Sequence, residues 1–347
     1  MTRVLLTGAA GFAGSHALRH LLAGTDWAVT CPVSLDHKGH MGRLESAMAG
    51  HDPARVHVFP CDLAQPLNGK ARMLLGHPDH IINYASASHV DRSIADPVPF
   101  VANNLNLMLH LLEYARHVPV LRTFAHVSTD EVYGACSGNA HPEWSPIVPS
   151  NPYAASKACQ EALATAYWRT YGIPLIIVNS MNLFGESQGM GNGSKPEKFV
   201  PIVASRVLAG KTVPIHGSPD GRAGSRCWLH ARNLADAILW LLRRGGDLKY
   251  APGGDGEPRP ARWHVAGPER SNLEMAREIA DGLGRELHYE ITDFHGSRPG
   301  HDLRYALDAS KIEAAGWKPP VSFEEGIWRT VAWEIEHEGY LRSHERG

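Results

Sequence analysis

Three glycines, Gly8, Gly11 and Gly14, constrain this chain more than any other feature. They follow Val4-Leu5-Leu6, an apolar run of buried-strand type, and open a helical pattern carried by Leu18, Leu21 and Leu22. A Gly-x-x-Gly-x-x-Gly turn in that position lets the backbone turn tightly and approach a pyrophosphate at the helix N-terminus. A glycine triad alone is a weak signal; one placed between a first strand and a helix predicts a dinucleotide-binding unit. Phe12 and Ala13 lie inside the turn and join the glycines as cofactor-binding candidates.

The alternation continues. Strands are expected at Trp27–Leu35, Val56–Phe59, Ile81–Ala85, Phe124–Val127 and Leu175–Val178, separated by helical patterns. That rhythm implies an α/β fold with a Rossmann-type doubly wound parallel sheet. Asp36 ends the second strand about 20 residues past the last glycine, where an acid accepts the ribose 2′-hydroxyl and favours NAD. Lys38 and Arg43 nearby leave NADP open as the alternative, and Pro32 inside the strand removes a ladder donor. Asp62 and Leu63 after the third strand, and Tyr84 and Ala85 ending the fourth, complete the cofactor set.

The chemistry is expected between Phe124 and Lys157. The apolar strand there ends in Ser128, Thr129, Asp130 and Glu131, and strand carboxyl ends are where parallel sheets bind ligands. Ser128-x-x-Glu131 also fits a capping box, but Val132-Tyr133-Gly134 and the prolines that follow supply no amphipathic helix to cap. Asn151-Pro152 reads as an N-cap and first helical residue. Tyr153 and Lys157 then emerge from one face of that helix. A phenol titrates near about 10, so a neighbouring ammonium is expected to favour the phenolate and make Tyr153 a base.

Lys+Arg 34 against Asp+Glu 36, a net charge of −2, argues against a nucleic-acid surface. No apolar run of about 18 residues spans a membrane, and Met1-Thr2-Arg3 leads straight into a strand with no room for a signal segment. Cys31, Cys61, Cys136, Cys159 and Cys227 form no Cys-x-x-Cys, which reads as reduced thiols in a cytoplasm. His16 and His20 have helical ligand spacing but no third ligand, so no metal site is expected.

Beyond Asn182 the pattern becomes irregular. Residues 245–260 read as a linker or exposed loop, Trp263–Ala266 as a strand and Leu273–Leu283 as a helix; Pro214 places the strand near Thr212–Ile215 at an edge. A smaller mixed α/β C-terminal substrate domain is therefore expected. The division places an NAD-binding domain at 1–180 with a returning segment near 225–245, and a sugar-binding domain at 181–224 and 246–347.

With these residues on the page, the chain resembles the extended short-chain dehydrogenase/reductases, most closely the nucleotide-sugar 4,6-dehydratases. Ser-Thr-Asp-Glu-Val-Tyr-Gly at 128–134 is the most specific piece. His-Val-Asp-Arg-Ser-Ile at 89–94, Tyr153-x-x-x-Lys157, Pro-Glu-Lys at 196–198 and the run from Arg298 to Tyr305 support it. The resemblance implies that Tyr153 takes the proton of a sugar 4-hydroxyl while hydride moves from C4 to NAD, with Thr129 bonded to the same oxygen. Glu131 would then remove the C5 proton, and Asp130 would protonate the departing C6 hydroxyl. It also implies that Ser88, His89, Asn182, Lys198, Arg226 and Arg298 hold a nucleotide-diphosphate sugar, and that the protein is a homodimer. The family's Asn-Asn-Tyr-Gly-Pro stands here as Asn182-Leu183-Phe184-Gly185-Glu186, with a glycine-rich insertion between Gln188 and Pro196. A 4-epimerase or decarboxylase of the same fold, and a catalytically silent NAD-binding homologue, are the competing readings.

Overall fold

The computed structural model describes residues 1–35, 39–190, 196–245, 250–252, 257–293 and 301–337. Strands β1 (Arg3–Thr7), β2 (Ala28–Val33), β3 (Val56–Pro60), β4 (His80–Asn83), β5 (Thr123–Thr129) and β6 (Leu175–Ser180) alternate with helices. The helices are α1 (Phe12–Gly24), α2 (Met41–Met48), α3 (Gly69–Leu75), α4 (Val90–Ala95), α5 (Pro97–Ala115) and α6 (Pro152–Tyr171). These six strands are parallel in the order 3-2-1-4-5-6. The order reverses at β1, so the loops leaving β1 and β4 part and open a crevice at the carboxyl edge.

Parallel strands covered on both faces are largely apolar, and so are the middles of these, with polar residues such as Asn83, Thr129 and Ser180 at the carboxyl ends. Every residue of β6 is buried, as are Val4, Leu5 and Leu6 of β1. One face packs Leu18, Leu21 and Leu22 of α1 against Ile238 and Leu242 further along the chain; the other packs Leu111 and Leu112 of α5 with Ala164 of α6. Pro32 is tolerated because the β1 ladder reaches only as far as Thr30, leaving Pro32 opposite β3 alone.

After β6 the chain forms β7 (Leu183–Phe184), α7 (Phe199–Leu208), β8 (Val213–Gly217), β9 (Ser225–Cys227), β10 (Leu229–His230) and α8 (Ala231–Arg244). Then β11 (Tyr250–Pro252) and β12 (Pro258–Val265) return to the large sheet, β12 parallel to β6 and β11 antiparallel on the outer edge. The linker reading of 245–260 is thus corrected within the described residues. Pro252 suits the edge strand β11, where a missing ladder donor costs little.

The remainder is β13 (Glu269–Ser271), α9 (Asn272–Gly282), β14 (Tyr289–Asp293), α10 (Ser310–Ala314) and α11 (Phe323–Glu336). The short strands pair as β7 with β10, β9 with β13 and β8 with β14, so Pro214 does sit in an edge strand. A second core joins Val203 and Val207 of α7, Met275 and Ile279 of α9, and Ile327 and Val331 of α11.

Candidate active site

The glycine turn is built to admit a ligand's backbone approach. Gly8 has φ +71, and a Cβ on Gly14 would lie 2.1 Å from the Gly8 carbonyl oxygen. Gly11 caps α1 without any side-chain bond, so the first amides of the helix keep no internal partner and Gly11 to Gly14 line the cleft. Thr7 donates to Asn83 Oδ1 at 2.6 Å and accepts from the Ala85 amide at 3.1 Å, tying the ends of β1 and β4 together. The buried Tyr84 hydroxyl, also on the wall, has no hydrogen-bond partner within the protein. These features fit a dinucleotide.

The cleft encloses about 580 Å³ and runs from this turn past the ends of β4, β5 and β6 to the start of α7. It brings together Gly8, Gly11, Phe12, Ala13, Gly14, Asp62, Leu63, Tyr84, Ala85, Ser88, His89, Thr129, Asp130, Glu131, Tyr153, Lys157, Asn182 and Lys198. Asp36 and Arg298 lie outside the described residues. Arg226 is not on the cleft wall: its guanidinium donates to the carbonyls of Ser225, Leu303 and Asp302, each at 2.7 Å, and stacks 4.5 Å over Tyr305. A side chain given over to backbone carbonyls is poorly placed to grip a diphosphate, so the reading of Arg226 is revised to a residue behind the wall.

The end of β5 runs directly into a single 3-10 turn, Asp130–Tyr133, capped by Thr129. Thr129 Oγ1 donates to Asp130 Oδ1 at 2.9 Å. Asn151 confirms its cap role, its Oδ1 accepting from the Ala154 amide at 2.9 Å, and its Nδ2 donates to Glu131 Oε2 at 3.1 Å. Sequence reasoning saw only the first of these, because a cap is a local pattern and the bond to Glu131 is not. The helix N-terminus therefore orients one carboxylate while starting the helix that carries Tyr153 and Lys157.

Burial dominates the electrostatics. Asp130 is pushed up to about 7, first by burial and then by the charge of Glu131, against the pull of the Thr129 hydrogen bond. Its Oδ2 has no partner within the protein. Lys157 is pulled down to about 7 by burial, partly offset by Glu161. Its ammonium donates to the Val127 carbonyl at 2.9 Å and Gln160 Oε1 at 2.7 Å. The Tyr153 phenol moves opposite to expectation. Burial and the charges of Glu131 and Asp130 push it well above its ordinary value, and the hydrogen bond with Thr129 only partly compensates. Sequence spacing shows the ammonium but not the two carboxyls or the loss of water around the ring.

The rim of the cleft holds contacts that no motif announced. Arg43, buried, donates to the carbonyls of Ser187 (3.0 Å), Gln188 (3.4 Å) and Met190. Glu186 accepts from the His230 ring at 3.0 Å, and its carbonyl bonds His16 Nε2 at 3.0 Å. These contacts hold the Glu186 carboxyl down at about 2 despite its burial. His20 meets Asp236 at 3.1 Å, so the two helically spaced histidines serve different partners.

Comparison with known proteins agrees with this geometry. A family model described as GDP-mannose 4,6 dehydratase matches residues 5–330. A dTDP-glucose 4,6-dehydratase of Actinoplanes sp. is 37% identical, covering 95% of this chain and 97% of its own. The solved dTDP-glucose 4,6-dehydratase of Streptomyces venezuelae, with NAD bound, superposes with a TM-score of 0.82 at 35% identity, covering 98% of this chain and 99% of that one. The UDP-glucose 4-epimerase of Thermus thermophilus, in complex with NAD, gives a TM-score of 0.76 at 28% identity, covering 96% and 98%.

Proposed function

The chain belongs to the nucleotide-sugar 4,6-dehydratases of the extended short-chain dehydrogenase/reductases, and on that premise we propose that it is an NAD-dependent hydro-lyase. It converts a nucleotide-diphosphate hexose of the dTDP-glucose or UDP-glucose type into the 4-keto-6-deoxy sugar. Gly8, Gly11 to Gly14, Asp62, Leu63, Tyr84 and Ala85 hold the cofactor. NAD held there would supply a hydride acceptor for C4 and, once reduced, a hydride donor for C6, so that no net oxidation results.

Tyr153 receives the proton of the 4-hydroxyl, and Thr129 orients that oxygen. Since burial opposes the phenolate, Lys157, one turn along the same helix face, is assigned to supply the charge that favours it. The 4-ketone acidifies C5, whose proton passes to Glu131, held in place by Asn151. Asp130, kept protonated near neutral pH, gives its proton to the C6 oxygen as the C–O bond breaks and water leaves. A carboxyl raised in proton affinity beside a second carboxyl is what an elimination needs. Glu131, its proton exchanged with solvent in the meantime, then protonates C5. The single observation that carries the proposal is the placing of buried Asp130 next to Glu131 in the cleft that also holds Tyr153 and Lys157.

We assign cofactor binding to residues 1–180 with the returning segment, now extended through β12, and sugar binding to the rest of the C-terminal region. Ser88, His89, Asn182 and Lys198 are its contacts on the described wall. A homodimer forms through the outer faces of α5 and α6, where Leu109, Ala162 and Ala166 are exposed while Leu112 belongs to the core. Among the described residues no helix is long and apolar enough to cross a membrane, and we place the protein in the cytoplasm. Mass spectrometry after incubation with dTDP-, UDP-, GDP- and CDP-hexoses tests the reading. Loss of one water supports it; an unchanged mass with inverted C4, loss of carbon dioxide, or no reaction contradicts it.

A further inference from the structure

The turn that carries Asp130 and Glu131 is bolted at both ends to one buried ion pair. At its start, Asn179 Nδ2 donates to the Thr129 carbonyl at 3.0 Å and to Glu161 Oε1 at 2.8 Å. Glu161 Oε2 accepts from Arg262 at 2.7 Å. At its end, Arg262 donates to the Tyr133 hydroxyl at 2.8 Å. Glu161 and Arg262 are 1% and 2% exposed, and neither lines the cleft.

The chain of donors has one consistent direction. His264 Nδ1 lies 3.2 Å from the Asp308 carbonyl, which only accepts, so Nδ1 carries the ring proton. His264 Nε2 therefore accepts from Tyr133 at 2.8 Å, leaving the Tyr133 oxygen to accept from Arg262. Trp144 covers the guanidinium at 4.3 Å. The elements joined are β5, β6, α6 and β12, so a single node sets the height of the catalytic turn against the helix of Tyr153 and Lys157.

A buried ion pair is poor value as a source of stability, since apolar residues of similar volume often hold a fold as well. Its particular gift here is position. We propose that Glu161 and Arg262 are positioning residues for the elimination step, fixing the Asp130–Tyr133 turn from behind without touching substrate or cofactor. The proposal rests on the dehydratase reading. The Tyr133 of the most diagnostic motif gains a role from it, as the far anchor of that turn.

The test is the double variant Glu161→Leu/Arg262→Met, with Tyr133→Phe as a gentler second. The variants are assayed on whichever nucleotide hexose the unmodified protein dehydrates. If none is dehydrated, the dehydratase reading fails first and the proposal with it. Otherwise both variants should melt close to the unmodified protein and keep its KM. Water loss should fall about 10- to 100-fold in the double variant and less in Tyr133→Phe. Reduced nicotinamide and 4-keto hexose should build up on Tyr133→Phe, which keeps Glu161 to support the Lys157 charge, because oxidation continues while elimination lags. Overturning results are unmodified dehydration rates in the folded double variant, or equal loss of oxidation and elimination in Tyr133→Phe. Should the double variant not fold, Tyr133→Phe decides alone, and an unmodified elimination rate in it rejects the proposal.

Discussion

The catalytic turn, through Thr129–Glu131, and the rim segment Asn182–Met190, through Asn182, Leu183, Gln188 and Gly189, reach the same cleft but are built in opposite ways. The turn continues a strand buried in the middle of the sheet, and its reacting groups and its Thr129 cap lie within one short run of the chain. The rim contains Asn182, Gly185 and Ser187 at φ +30, +152 and +67, conformations that L side chains rarely take. What keeps it there comes from afar: Arg43 from α2, His16 from α1 and His230 ahead of α8. Reaction chemistry is thus written in a contiguous motif, while the binding rim is written in pairs more than 40 residues apart. One region should lose rate when altered, and the other should lose affinity.

The largest effect is expected from the turn and its helix. Tyr153→Phe should lower kcat about 10²- to 10⁴-fold with little change in KM, read by steady-state kinetics. Glu131→Gln should fall by a similar factor in water loss yet still form the 4-ketone. Equal loss of both steps would erase the division of labour within the turn.

A pH profile comes next. Asp130 must hold its proton and Lys157 its charge, and both sit at about 7, so kcat should fall as pH rises through neutrality. Stability gives an independent reading. The Asp130 carboxyl is raised from 3.8 to about 7, so its favourable contribution is full below 3.8 and lost as pH climbs to about 7. Asp130→Asn should therefore melt about 2 °C or more above the unmodified protein at pH 8, and show no such gain at pH 4.

The rim should respond differently. Arg43→Met or Glu186→Ala should raise KM about 10-fold, equivalent to about 1.4 kcal/mol, while kcat changes less than about three-fold. A drop in kcat without a change in KM would merge the two regions. The smallest effect belongs to Asn151→Ser. Serine keeps an N-cap acceptor but loses the donor to Glu131, so Tm should move by less than about 2 °C while kcat falls by a few-fold.

Much of this was legible in the sequence where the information is local. The glycine triad, the apolar strands and the Asn151-Pro152 cap each follow from period or from one residue's conformational preference, and the structure has them in place. What escaped has a common cause. Tyr153 rises rather than falls because desolvation depends on everything packed around the ring. Arg43 turns from a candidate phosphate partner into an anchor of the rim because residues 187–190 fold over it. The second half of β12 is legible as the strand expected at Trp263–Ala266, while its start at Pro258 lies in the stretch that reads as linker until β11 supplies its partner. Arg226 is a diphosphate contact by the family resemblance, yet its guanidinium bonds three backbone carbonyls.

The central claim is that the Asp130–Glu131 turn removes water across C5 and C6 of a hexose that Tyr153 has prepared at C4. The most direct measurement is mass spectrometry of the product formed in deuterium oxide, with the deuterium located by NMR. The account predicts loss of one water and one solvent deuterium, at C5. A product of unchanged mass carrying no deuterium would contradict it, leaving a cleft that oxidises and returns C4 without using its two carboxyls.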